Sequence, residues 1–446
     1  VPSLDPAAGA ELPGRIRVRS EAVDVTGDLL ARIPDEVDPR DVVTWLREGD
    51  GMVGWGRAAL VRTHGPDRFA QAEAWWDRLR TVAEVEDGVR VAGSGLVAFG
   101  SFAFAPGSAD RSVLTVPRVL IGRRDGMAWV TRVVVDDEPW PSDHPAQMLA
   151  RTNPRLGELD PLVETEGTVP AARWPEVVGR AVGRIEAGEV DKVVLARDVR
   201  VRHREGHAVR VAPVLERLER RYAATWTFAV DGLLGATPEM LVRLQDGRVR
   251  SRVLAGTIRR GAHPQHAAPQ VSHEHPVDPR LRLVSSEKDL EEHAYAVRSV
   301  AEALAPHCTE LQVPATPYVL ELPDVYHLAT DLTGRRADGA TSLSLAAALH
   351  PSAAVCGTPT EKAAAVITEL EGMDRGRYSG PVGWLDGDGD GDWCIALRCG
   401  ELAPDRGSMR IFAGGGIVAA SDPDAELAET EVKLTAMRHA LGLLES

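Results

Sequence analysis

The 446-residue chain is short of several things, and each shortage excludes a class of protein. It has four cysteines, Cys308, Cys356, Cys394 and Cys399, with no CxxC pair among them. That excludes a disulfide scaffold and a cysteine zinc site, and fits reduced thiols in a cytoplasmic protein. Basic residues are outnumbered, 51 against 66 acidic, for a net charge of −15. A nucleic-acid partner is not expected, since such domains usually carry a basic face. The most apolar stretch, "GSGLVAFGSFAFAPGSA" from Gly93 to Ala109, is too short and glycine-rich to span a bilayer. The first twenty residues lack the basic-then-apolar pattern of a secretion signal. The expectation is a soluble, cytoplasmic protein that takes a small molecule, with no membrane attachment.

What is present is ample hydrophobic content, 44%, for a sizeable core. Strand-like runs come in hairpin groups, as in "TWTFAVDGLLGATPEMLVRLQDGRVRSRVLAGT", and helical segments intervene without a regular βαβ beat. That pattern predicts an α+β fold with large antiparallel sheets. Residues 1–160 mix short strands with a helix candidate, "DRFAQAEAWWDRLRTVAEV", and carry few motifs. A polar, proline-bearing stretch, "RTNPRLGELDPLVETEGTVP", reads as a connection to the motif-rich region 161–446. The two parts are expected to form one intertwined domain.

Two acidic or histidine-rich stretches invite a metal reading and do not sustain it. "DGDGDGD", Asp386 to Asp392, has Leu397 where a calcium loop needs its bidentate glutamate, and sits between two strand patterns. It reads as a hairpin turn. His263, His266, His273 and His275 fall in a proline-rich loop without ligand spacing.

Other features carry chemistry. In "VDKVVLARDV", Val193 and Leu195 alternate with Lys192, Val194 and Ala196, which marks a strand with a lysine on an otherwise apolar face. Such a lysine is either an edge guard against strand pairing or an amine whose pKa burial lowers toward use as a base. In "SEKDLEEHAY", Asp289 and Glu292 share one helix face behind a serine cap. In the last helix Glu426, Glu429 and Lys433 share a face, which by itself suits a solvated surface. The glycines Gly414 to Gly416 precede it, and a glycine run lets backbone N–H groups approach an anion. Carboxylate oxygens beside an anion-binding turn suit Mg²⁺, which shares its shell with anionic substrates.

In order, "DKVVLARDV", "GATPEMLVR", "LAGTIRRG", "SEKDLEEH", "HPSAAVCGTPTEKA", "ELEGMDRGRYSGPVGW", "IALRCGEL" and "IFAGGGIVAASDPDAELAETEVK" resemble the chorismate-utilising enzymes, the group of isochorismate, salicylate, anthranilate and aminodeoxychorismate synthases. The likeness is dense from Arg173 to Gly442. It implies two large antiparallel sheets packed together and flanked by helices, with the active site in the cleft between them. It further implies that Lys192 is the base activating water and Glu239 the acid protonating the departing hydroxyl. By the same resemblance Glu292 and Glu429 are direct Mg²⁺ ligands, while Asp289 and Glu426 hold metal-bound waters. Arg398, Tyr378 and Lys433 match groups contacting substrate carboxylates, Gly414 and Gly416 supply backbone donors, and Thr257 and His327 line the pocket.

Within the group, a lysine at position 192 in place of the glutamine of aminating enzymes implies water as nucleophile and no glutaminase subunit. Ala255 in "LAGT", where aminodeoxychorismate synthases carry a lysine, points the same way. Ala354 stands where salicylate synthases tend to have threonine, which favours isochorismate synthase; Tyr378 and Leu397 are shared with the salicylate branch. A catalytically inactive binding homologue is the alternative of another kind, and its signature would be loss of Lys192, Glu239, Glu292 or Glu429. A monomer is expected.

Overall fold

The computed structural model describes residues 12–25, 27–142, 149, 158–259, 278–321, 325–337 and 339–444. Two sheets dominate, of 13 and 10 strands. The chain is α+β, as its hairpin-rich sequence suggests, and nearly every strand pair is antiparallel. Strands from the first 160 residues sit in both sheets beside strands from the later part.

The inner faces meet in one apolar cluster. Trp45, Met52, Trp129 and Phe228 of the larger sheet pack with Phe99, Met240, Trp384 and Cys394 of the smaller one. Outside the larger sheet, Val199, Val201 and Ile411 are covered by Leu215 and Leu218 of helix Val211–Arg221 and by Leu434 and Met437 of helix Pro423–Ala440. Outside the smaller sheet, Val249 and Val253 pack under Ala296, Val297 and Val300 of helix Glu287–Leu304. The layers therefore run helix, sheet, sheet, helix, each apolar face finding a partner.

The strand Lys192–His203 is where the sequence alternation predicts it. Val193 and Leu195 are fully buried with Val178 and Ala181 of helix Trp174–Glu186, and Ala196 packs on the other face with Tyr378 and Phe412. Lys192 thus points to the inner side, where the sheets part.

Two elements differ from the sequence reading. The first helix stops at Thr81, and Ala83–Asp87 is an edge strand parallel to Ile16–Ser20. Its alternating acids face the neighbouring arginines, Glu84 on Arg15 at 2.6 Å and Glu86 on Arg19 at 2.8 Å. Exposed pairs of this kind contribute little, so the backbone ladder to Ile16–Ser20 decides the conformation. The supposed connection before residue 170 also contains an edge strand, Leu162–Glu166, paired with Val199–His203. The acidic repeat at Asp386 is a hairpin turn, as expected: Asp386 Oδ1 accepts from the backbone N–H groups of Asp388 at 3.0 Å and Asp390 at 3.1 Å. The loop carrying His263, His266, His273 and His275 lies outside the described residues.

Candidate active site

Two short crossovers carry the chain from one sheet to the other and place the central side chains. Strand Leu233–Thr237 belongs to the larger sheet and Met240–Gln245 to the smaller, so Pro238 and Glu239 form the step between them. The return step, Ala396 to Arg398, joins Gly391–Ile395 of the smaller sheet to Cys399–Leu402 of the larger. The two steps are tied together. Ile395 N donates to Glu239 O at 2.9 Å, Ala236 N to Arg398 O at 3.2 Å, and Thr237 Oγ1 to Ile395 O at 2.6 Å. Arg398 has a φ of 47°, a left-handed conformation that non-glycine residues rarely adopt. The surrounding ladder enforces it, as is common where side-chain aim matters.

A cleft of about 320 Å³ opens at this seam. Lys192 and Glu239 both line it, with Asp289, His327, Tyr378 and Arg398, and with Gly414, Gly416, Glu426, Glu429 and Lys433. Thr257 is directly opposite His327 in the strand register, and Glu292 falls in helix Glu287–Leu304, but their side chains lie outside the described part.

Glycine clears the path of the lysine. A Cβ on Gly416 would lie 3.0 Å from Lys192 Cε and 3.5 Å from its Nζ, so the amine crosses the face of the glycine run. A Cβ on Gly414 would lie 2.5 Å from Leu195 O, closer than real side chains come. Lys433 Nζ donates to Gly414 O at 2.6 Å and pairs with Glu429 Oε1 at 2.7 Å. Tyr378 is buried and stacked on Phe412 with ring centroids 4.8 Å apart.

Glu239 keeps some surface open to the cleft. Burial nevertheless pushes its carboxyl up to about 7, against the opposing pull of Lys192, Lys433 and Arg398. A carboxyl in that range is protonated often enough near neutral pH to donate a proton. His327 moves the other way. Burial, with repulsion from Arg398 and Lys433, lowers it to about 3, so the ring is neutral, and it hydrogen-bonds the backbone of Gly256. Gly256, at φ 75°, marks a bulge between Ala255 and Thr257; a Cβ there would meet Asp289 Cβ at 3.2 Å.

Asp289 and Glu426 come from the first turns of two helices, where the helix dipole favours anions, and Glu429 lies one turn further along. Ser286 caps one, accepting from Asp289 N at 3.3 Å, and Asp422 caps the other, accepting from Ala425 N at 2.8 Å. Glu426 and Glu429 converge over Gly415: a Cβ there would be 3.0 Å from Glu426 Oε2 and 3.7 Å from Glu429 Oε1. Ser421 holds the other Glu426 oxygen at 2.8 Å. Among the described residues no three His, Cys, Asp or Glu side chains gather into a complete metal site. The donor set, hard carboxylate oxygens beside a substrate-sized cleft, fits Mg²⁺ in chemistry.

Sequence reasoning missed three supports. His293, buried beside Glu292 in the chain, holds Thr330 Oγ1 at 2.8 Å and faces Ala255 O at 3.3 Å, fixing the acidic helix to the bulged strand. Glu371 and Arg375 form a buried pair at 2.5 Å. Arg375 donates to Val194 O at 2.6 Å and Val355 O at 3.0 Å, and Glu371 accepts from Ala196 N at 2.7 Å, so the pair clamps the strand that carries Lys192. Their adjacency in "ELEGMDR" was visible in the sequence; their partners across the fold were not.

A family model described as chorismate binding enzyme matches residues 37–442. The salicylate biosynthesis isochorismate synthase of Pseudomonas aeruginosa is 35% identical over 427 residues, spanning 90% of this chain and 84% of that protein. The isochorismate synthase DhbC of Bacillus subtilis is 38% identical over 278 residues, 60% of this chain and 67% of that one. Among solved structures, the menaquinone-specific isochorismate synthase MenF of Escherichia coli superposes with a TM-score of 0.75 at 25% identity, covering 97% of this chain and 96% of the other. The chain belongs to the chorismate-binding enzyme family.

Proposed function

We propose that the protein is an isochorismate synthase, converting chorismate to isochorismate by adding water at C2 and releasing the C4 hydroxyl as water. The observation that carries this is the pairing of Lys192 with a carboxyl, Glu239, held at about 7 in the same cleft. Lys192 Nζ takes a proton from the incoming water as its oxygen bonds to C2. Both ring double bonds shift, from C1=C2 to C1=C6 and from C5=C6 to C4=C5, the C4–O bond breaks, and Glu239 gives its proton to the departing oxygen. One water is consumed and one released, so the substrate is isomerised. Arg398, Tyr378, Lys433 and the N–H groups of Gly414 and Gly416 bind the substrate carboxylates, and neutral His327 and Thr257 shape the pocket. A dianion entering a chain of net charge −15 needs such local cations and dipoles. Mg²⁺, held by Glu292 and Glu429 directly and by Asp289 and Glu426 through water, would neutralise the ring carboxylate when bound.

Ala354 and Leu397 both line the cleft. An alanine there leaves the pocket without a hydroxyl that would favour onward elimination of pyruvate, and specificity between such close reactions rests on pocket shape. Incubation of the purified protein with chorismate and Mg²⁺, followed by chromatography and a pyruvate assay, tests the proposal. Isochorismate without pyruvate is the expected result. Salicylate with equal pyruvate would make it a salicylate synthase, and absence of any product would make it an inactive binding homologue.

A further inference from the structure

A second, smaller cavity meets the cleft at Glu239, Leu254 and Ala354 and is otherwise walled by different residues. Its volume is about 20 Å³, room for one water. Ser352 lines it, and Ser352 Oγ is buried with no hydrogen-bond partner among the described residues. Buried hydroxyls in folded proteins are nearly always satisfied, by protein or by an ordered water. Ser251, also in the wall, already donates to Leu241 O at 2.6 Å and has its lone pairs left to accept. Ser299, an exposed residue of helix Glu287–Leu304, also lines it. The cavity is thus lined both by Glu239 of the cleft and by a residue exposed at the protein surface.

We propose that this cavity holds one ordered water, positioned by Ser352, that hydrogen-bonds the Glu239 carboxyl and carries its proton to and from solvent at Ser299 while substrate fills the cleft. The idea rests on the reading of Glu239 as the acid. Glu239 gives up one proton per turnover. The cavity water donates one to the resulting carboxylate and regains one from solvent, while Lys192 returns to solvent the proton it took. The balance over a cycle is zero. Besides the water, Glu239 faces Lys192, Lys433 and Arg398 from the cleft side. Arg252, engaged with Asp331 at 2.7 Å, and the buried thiol of Cys394 adjoin it from the smaller sheet.

The test compares Ser352→Ala and Ser352→Thr with the unaltered enzyme and with Glu239→Gln. Ser352→Ala should lower kcat roughly ten-fold with KM for chorismate and the thermal midpoint unchanged. It should also move the alkaline limb of the kcat–pH profile upward, because the carboxylate loses a donor. Ser352→Thr, which keeps the hydroxyl, should restore both. Wild-type kcat and limb in Ser352→Ala would overturn the proposal, as would a fall in kcat with the limb unmoved, which is what a packing role gives. A high-resolution crystal structure of the unaltered protein should show a water within hydrogen-bond distance of Ser352 Oγ and the Glu239 carboxyl; a dry cavity would equally overturn it. Glu239→Gln separates the two ideas. If that variant keeps full turnover, the acid assignment fails; if it is inactive while Ser352→Ala is normal, only the water route fails.

Discussion

Replacing Glu239 by glutamine should make the protein slower and more stable at once, for one reason. The carboxyl's ordinary 4.5 becomes about 7 in the fold because burial disfavours its charge. Between those values the folded chain holds a proton that the unfolded chain has released. The stability this group contributes is therefore complete below pH 4.5 and is lost as pH rises through 7. Above that window the fold bears a cost on the order of 3 kcal/mol, an upper figure because part of the side chain faces the cleft. Glutamine has the same shape and no charge to desolvate. Glu239→Gln should then gain up to about 3 kcal/mol over the unaltered protein at pH 8, and only about 1 kcal/mol at pH 5. Urea denaturation at the two pH values reads this difference directly. Turnover of chorismate should fall by about 10²- to 10⁴-fold, the usual worth of a positioned acid. In the unaltered enzyme, kcat should drop roughly ten-fold per pH unit above 7, as the protonated fraction shrinks. A stability gain equal at both pH values would mean that the Glu239 carboxyl is not raised by burial, and turnover close to normal would mean that it is not the acid.

Gly416→Ala places a methyl group 3.0 Å from Lys192 Cε and should displace the amine while leaving the fold intact. A kcat loss of about 100-fold with little change in thermal midpoint is expected; normal kcat would mean the lysine does not act from where it lies. Glu429→Gln should raise the Mg²⁺ concentration needed for half-maximal activity at least ten-fold, and an unchanged Mg²⁺ titration would remove Glu429 from the metal site. Arg375→Met strands the Glu371 carboxylate in the core and should cost about 3–5 kcal/mol in denaturant unfolding. Adding Glu371→Gln should recover part of it, and a single variant of normal stability would show the clamp to be dispensable.

The alternation around Lys192, the serine cap before Asp289, the glycine run and the helix-face carboxylates were legible because each is a local pattern of period two, period 3.6 or fixed offset. The polar edge strands Ala83–Asp87 and Leu162–Glu166 were not, since their pairing is decided by a distant ladder and their short, acid-rich, largely exposed sequences give a weak strand signal. The seam itself was also illegible. Nothing near Pro238 or Arg398 announces that the chain changes sheets there, yet that change puts Glu239 and Arg398 in one cleft. His293, Glu371 and Arg375 read as ordinary helix and loop residues until their partners across the fold are known.

The proposed chemistry is the addition of water, activated by Lys192, at C2 as the C4 hydroxyl leaves. It is tested most directly by brief turnover of chorismate in heavy-oxygen water, with the product examined by mass spectrometry. Isochorismate carrying one heavy oxygen, attached at C2, is expected from the first turnovers. Isochorismate formed without label would mean that the hydroxyl moves within the substrate, and the roles given to Lys192 and Glu239 would be wrong.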